Sequence, residues 1–178
     1  MTFPKKTEKV KLTLPSKFPV VVPGVGPIPA PGMIIGEAPG RKEIEKLSPF
    51  CGASGKVLDE ALEATGISRN EVFITNVFKG DVGVGNRNPT QVEVDNHRIL
   101  LEEELRAVTP IAILLLGRVA TNSFFPESRR MGDYVHTIHR INGVIVIPCW
   151  HPAATLYDRS KRAEFNEIVD LFVREAYG

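Results

Sequence analysis

Six consecutive apolar residues, Ile111 to Leu116, closed by Gly117, constrain this chain more than any other segment. A strand with apolar side chains on both faces must be covered on both faces. That is the setting of a central strand in a parallel sheet with helices above and below. Shorter apolar runs repeat the theme. Met33-Ile34-Ile35-Gly36 ends in a Gly/Pro loop, and Val72 to Val77 carries Asn76 near its end. Val135 to Ile147 reads as a hairpin turning at Asn142-Gly143, whose second arm, Val144 to Pro148, delivers Trp150-His151-Pro152.

Between the strands the period changes to that of helices. Ser54 to Thr65 puts Val57, Leu58, Ala61 and Leu62 on one face, with Gly66 as the stop. Pro89 to Val108 turns Val92, Ile99, Leu100 and Leu105 inward and Glu102 to Glu104 outward. Further helices are expected over Arg118 to Phe125 and from about Lys161 to Ala176. Strands alternating with helices predict an α/β fold with a mainly parallel sheet. Residues 1–31 stand apart: seven prolines, five lysines and no helical period predict an extended, wrapping arm, with Val20-Val21-Val22 as a possible short strand. The folded domain is expected over 32–178.

At 178 residues one domain is expected. No apolar stretch approaches the roughly 18–20 residues of a membrane span. The start has two lysines but no apolar segment behind them, so an intracellular, cytoplasmic protein is expected. Two isolated cysteines, Cys51 and Cys149, spell no metal site and read as buried small hydrophobes. The formal charge of +1 does not announce nucleic acid. Any DNA-binding charge must gather locally, at Arg87, at Arg129-Arg130, or at Arg159 with Lys161 and Arg162; solvated surface charge is the plainer reading of each of these alone.

Ligands of open α/β sheets bind beyond the carboxyl ends of the strands. Three polar loops should land there: Gly36 to Gly40, Asn76, and Trp150 to Ala154. Asn76 offers a donor and an acceptor that complement a pyrimidine edge, although an Asn capping its turn is the plainer reading. Phe50, before a helix, suits stacking on a flat base, or a core plug. The Gly-rich stretch beyond it lets backbone N–H groups approach a phosphate, or makes a tight helix entry. Glu37 and Glu43 flank the first loop, where a carboxylate could orient water or face a sugar cation; solvated glutamates are the alternative. His151 could donate to an oxygen gaining negative charge, or be structural. His136 and His139, on opposite faces of a strand, make a poor metal pair.

Gly36-Glu37-Ala38-Pro39-Gly40, Glu43, Pro49-Phe50-Cys51-Gly52-Ala53-Ser54-Gly55, Ile74-Thr75-Asn76, Asn86-Arg87-Asn88-Pro89 and His151-Pro152-Ala153-Ala154 together resemble the uracil-DNA glycosylase superfamily. The likeness is nearest to its iron–sulfur-containing family 4 type and covers about residues 32–175. It implies a three-layer α/β/α sandwich around a four-stranded mainly parallel sheet, and a hydrolase that removes a flipped-out uracil, or a related damaged pyrimidine, in base excision repair. On matching positions, Glu37, Ala38 and Pro39 would line the base site, Phe50 would stack and Asn76 would read the edge. His151 would stabilise the leaving anion, and Glu43 would orient water, with Glu37 as a further catalytic candidate. Gly52, Ser54, Arg87 and Arg159 would meet DNA, Leu156 and Tyr157 would wedge the duplex, and Lys161 and Arg162 would hold phosphates. The implied partner is DNA carrying such a base; no membrane association and a monomeric state are expected.

The chain departs from the family 4 pattern in lacking its four cluster cysteines. Gly80 and Asn96 stand at two of those positions, and the arm has none. No cofactor is therefore expected, with the arm and the Gly80–Gly85 loop filling the space. Ser54 replaces the usual Ala, and residues 79–90 hold no His, so covalent capture of the sugar is not expected. Gly40 is too small to exclude the thymine methyl, which leaves that task to Glu43 or its loop. A non-catalytic DNA- or protein-binding module on the same fold is the alternative. A nucleotide-binding protein ranks last, because no phosphate loop of the G-x-x-x-x-G-K-[ST] form occurs.

Overall fold

The apolar run that dominates the sequence is the middle of the sheet. In the computed structural model, which describes residues 20–83, 87–125 and 130–178, Ala112–Leu116 (β3) is entirely buried. Its side chains alternate between two cores. Ala112, Leu114 and Leu116 face one cluster, and Ile113 and Leu115 face the other. Gly32–Gly36 (β1) and Val144–Cys149 (β5) flank it in parallel, and Phe73–Asn76 (β2) lies outside β1, also parallel.

A fifth strand, His139–Ile141 (β4), pairs antiparallel with β5 and closes the order β2-β1-β3-β5-β4. The sheet is thus the four parallel strands of the resemblance plus the first arm of the hairpin. That arm is shorter than its apolar pattern suggests. His136 has φ 68° and the strand begins only at His139, because Met131–Asp133 forms a 3₁₀ turn and the chain keeps turning after it.

Helices cover both faces. Ala53–Ala64 (α2) and Arg159–Tyr177 (α6) bury Leu58, Leu62, Phe165 and Phe172 against one side. Gln91–Val108 (α3) and Arg118–Phe124 (α4) cover the other. Two short helices had no clear period in the sequence: Arg41–Lys46 (α1) and Pro152–Thr155 (α5). The inward stripe of α3 is corrected. Val92 and Ile99 are 68% and 56% exposed, whereas Val94, His97, Leu101, Glu104, Leu105 and Val108 are buried with Leu100. Glu104 lies three residues after Leu101 and one before Leu105, so helical geometry carries it inward with them.

Residues 20–31 lie along β2 and α3. Val20-Val21-Val22 is not a strand; Val22 is 2% exposed and its N–H donates to the Lys79 carbonyl. Val25 makes a two-way antiparallel bridge with Ile74, and Ala30 N–H donates to the Val108 carbonyl. The earlier part of the arm, Asn86 and Arg129 lie outside the described residues. Cys149 is buried, and burial pushes its thiol well above the usual range; Cys51 is only partly covered. No helix among the described residues is long and apolar enough to cross a membrane.

Candidate active site

All four parallel strands end on one edge of the sheet, at Gly36, Asn76, Leu116 and Cys149. The chain leaves β1 toward β2 on one side and reaches β5 from β3 on the other, so the crevice beside β1 is the topological switch point of the sheet. A cavity of about 450 Å³ opens there. That is large enough for a nucleobase and part of its sugar.

Ten of the residues expected from sequence line it: Glu37, Ala38, Pro39, Glu43, Phe50, Gly52, Ser54, Asn76, Arg87 and His151. Five do not. Leu156 and Tyr157 follow α5 as exposed apolar side chains, 43% and 95% exposed, beyond the lining residue Ala153. Arg159, Lys161 and Arg162 occupy the first turn of α6. Lys161 pairs with Asp158 at 2.9 Å, and Arg162 with Glu60 at 2.6 Å. Arg87 is held by both oxygens of Glu93, at 2.8 and 2.6 Å, which depresses that carboxyl to about 2. Arg87, Lys161 and Arg162 thus have partners within the protein before any phosphate arrives.

Asn76 ends β2 with its side chain 3% exposed, and its Oδ1 has no hydrogen-bond partner among the described residues. A buried acceptor left without a donor costs about 1–3 kcal/mol, which a ligand donor would recover. Gly36, opposite it in register, leaves room for the pair: a Cβ there would lie 2.4 Å from Asn76 Oδ1 and 2.5 Å from Phe50 Cζ. Amide and ring therefore converge over one glycine.

Phe50 adopts a left-handed backbone, φ 51°. Its ring centroid lies 5.9 Å from that of His151, at an interplanar angle of 32°. Arg69, on a 3₁₀ turn capped by Ser68, holds this loop. Its guanidinium donates to the carbonyls of Pro49 and Phe50 and pairs with Asp59 at 2.8 Å. Nothing in the sequence near Arg69 pointed to this clamp, since its partners lie ten to twenty residues upstream. Arg69→Ala is expected to weaken binding of the pyrimidine base that the resemblance implies, tested as free uracil, about tenfold, the worth of a charged hydrogen bond to the ring's backbone. Calorimetry of the folded variant checks it, and native affinity would mean that the loop holds itself.

His151 caps α5. Its Nδ1 accepts the Ala153 N–H at 3.2 Å, which puts the ring proton on Nε2. Burial lowers its pKa to about 4. It is thus a neutral donor at physiological pH. Glu43 Oε1 accepts the N–H of Gly52, the N-cap of α2, at 3.0 Å, so its carboxylate is fixed at the cavity wall. Glu37 Oε1 accepts the Val119 N–H at 2.9 Å, and burial raises its pKa. That carboxylate is committed to the first turn of α4. Arg41 and Lys42, at the start of α1, also line the cavity and were not anticipated.

The residues do not fit a four-cysteine cluster. A Cβ at Gly80 would lie 2.9 Å from Phe78 Cζ, and the Phe78 and His97 rings, 4.4 Å apart, pack beside it. Among the described residues no group of three or more His, Cys, Asp or Glu is placed to hold a metal.

A family model described as "Uracil DNA glycosylase superfamily" matches residues 23–173. The chain is 41% identical over 153 residues to a type-4 uracil-DNA glycosylase of Archaeoglobus fulgidus, covering 82% of this chain and 76% of that protein. It is 36% identical over 159 residues to one of Pyrobaculum aerophilum, covering 85% and 81%. With one of Thermotoga maritima it shares 34% over 152 residues, covering 84% and 77%.

Proposed function

The chain belongs to the uracil DNA glycosylase superfamily, and from that premise we propose that it hydrolyses the N-glycosidic bond of a flipped-out uracil in DNA, the opening step of base excision repair. The observation that carries the reading is the partnerless Asn76 Oδ1, buried in the same cavity as the Phe50 ring and the His151 imidazole. A pyrimidine N3–H is the donor that this acceptor lacks, and the Asn76 amide N–H complements the neighbouring O4. Phe50 stacks on the base for about 1–3 kcal/mol. Extrusion from the duplex costs a few kcal/mol, which Leu156 and Tyr157 offset by filling the vacated stack.

The reaction follows from where charge develops. As the C1′–N1 bond breaks, its electron pair leaves with the base and spreads onto O2, while the sugar becomes cationic. His151, neutral and carrying its proton on Nε2, donates to O2 without having to give the proton up. Glu43 supplies the negative group near C1′ and orients the attacking water. The water oxygen bonds to C1′, one proton leaves with the base, and the products are free uracil and an abasic sugar. Glu37 shapes the cavity through its bond to α4, which suits a positioning role better than proton transfer. Gly52, Ser54 and Arg87 meet the DNA backbone at the rim, and Arg159, Lys161 and Arg162 beyond it. No step uses an iron–sulfur cluster, whose place beside Gly80 is packed with rings. The setting is cytoplasmic, the working form a monomer.

A labelled strand containing one uracil, single or paired, treated with the protein and then alkali, should break at the uracil. Intact strands for uracil and for modified pyrimidines alike would leave the reading without an activity and return the chain to a binding role.

The acid limb of kcat/KM is expected near pH 4 rather than 6.5, because His151 stays neutral down to its lowered pKa. Stability follows the same sign. His151 and His97, both lowered to about 4 mainly by burial, bind fewer protons folded than unfolded between pH 6.5 and 4. The stability they leave intact above 6.5 is therefore lost as pH falls through that window. Initial rates and thermal melts over pH 4–8 check both, and a kinetic midpoint at 6.5 would mean a solvated His151.

A further inference from the structure

Two buried ionisable side chains have no part in that reaction. Lys79 is 1% exposed and Glu104 6%, and Lys79 Nζ lies 2.6 Å from Glu104 Oε2. The ammonium also donates to Thr75 Oγ1 and, at 3.0 Å, to the backbone carbonyl of Asn76. All three of its protons are thereby used. The Thr75 hydroxyl donates to Glu104 Oε2 at 2.8 Å, and Glu104 Oε1 accepts the Gly24 N–H at 3.0 Å.

Stability is a poor reason to keep such a pair. A buried ion pair replaced by well-packed apolar side chains is often neutral or more stable, because desolvation offsets the attraction. What an apolar pair would not do is hold the Asn76 carbonyl. That carbonyl belongs to the residue whose carboxamide enters the cavity, and Thr75, one residue before it, is bonded to both members of the pair. Two anchors thus fix the end of β2 from the face opposite Phe50. We propose that Lys79 and Glu104 are positioning residues for uracil recognition, holding the Asn76 backbone so that its side chain stands ready to meet the base. The inference rests on the reading that Asn76 binds the pyrimidine edge.

The test removes both charges together, so that neither is stranded. Lys79→Met with Glu104→Leu is expected to fold, with a melting temperature lowered at most by the partners taken from the Thr75 hydroxyl and the Gly24 N–H. It should lose about tenfold in kcat/KM and in affinity for free uracil, and should cost almost nothing when added to Asn76→Ala, the signature of residues acting through one another. A role in packing alone would cost the same in both backgrounds and would overturn the proposal. So would native kinetics in the folded double variant. Should that variant fail to fold, Thr75→Val, which removes one arm of the network, carries the same comparison: a loss in the native background and none beside Asn76→Ala supports it, and equal losses sink it. Failure of the underlying reading looks different. A native protein without activity or uracil affinity, or one indifferent to Asn76→Ala, overturns the role of Asn76 and this inference with it, whereas dependence on Asn76 without dependence on the pair overturns the inference alone.

Discussion

Replacing His151 by alanine is expected to lower kcat on uracil-containing DNA by about 10²–10³-fold with little change in KM, the usual effect of removing one donor to a developing oxyanion. The ring's Nδ1 is already engaged with Ala153 N–H, so its Nε2 proton is the one available to the base. A neutral donor there would stabilise charge that appears only in the transition state and would add little to ground-state binding. The same substitution removes the cap of α5, worth about 1 kcal/mol. His151→Asn separates the two effects. Asparagine caps well, so stability should return, while its shorter amide leaves the rate low. An alanine variant with native kcat would remove His151 from the mechanism.

Gly36→Ala is expected to cost about 10²-fold in kcat/KM, the sum of a lost stacking contact and a lost edge contact at about 1–1.5 kcal/mol each. The added methyl would meet Asn76 Oδ1 and the Phe50 ring at once, and both side chains are already buried. Overpacking should also lower stability by about 1–3 kcal/mol. Uracil affinity by calorimetry and a thermal melt distinguish the two losses. Native uracil affinity in this variant would mean that ring and amide do not share the base.

Most of the architecture is legible in the sequence because it rests on period. The alternation of Ala112 to Leu116 between two cores, and the hairpin at Asn142-Gly143, follow from side-chain direction and turn chemistry. The site is legible for a different reason. Its residues cluster in short loops at strand ends, and those ends meet at one edge. What escaped is whatever depends on partners distant in sequence. Glu104 looks like one of three outward glutamates until its place between Leu101 and Leu105 is weighed against the polarity of its neighbours, and its partner Lys79 lies 25 residues away. Arg69 carries no local signal, since both carbonyls it holds precede α2. The α1 and α5 helices are too short to show a period. Of Arg87, Lys161 and Arg162 near the cavity, only Arg162 has its partner far off in sequence, at Glu60; Asp158 and Glu93 stand three and six residues from Lys161 and Arg87, a local pairing that the sequence does carry.

Those pre-formed pairs bear on how such an enzyme would travel. Each phosphate that engages Arg162 or Lys161 must displace Glu60 or Asp158, so fewer condensed counterions are released per contact than the number of basic residues suggests. With a formal charge of only +1, undamaged DNA should therefore be held loosely and let go quickly, with a shallow dependence on salt. Tight retention would then begin only once a base has left the helix and filled the crevice, which concentrates dwell time on lesions.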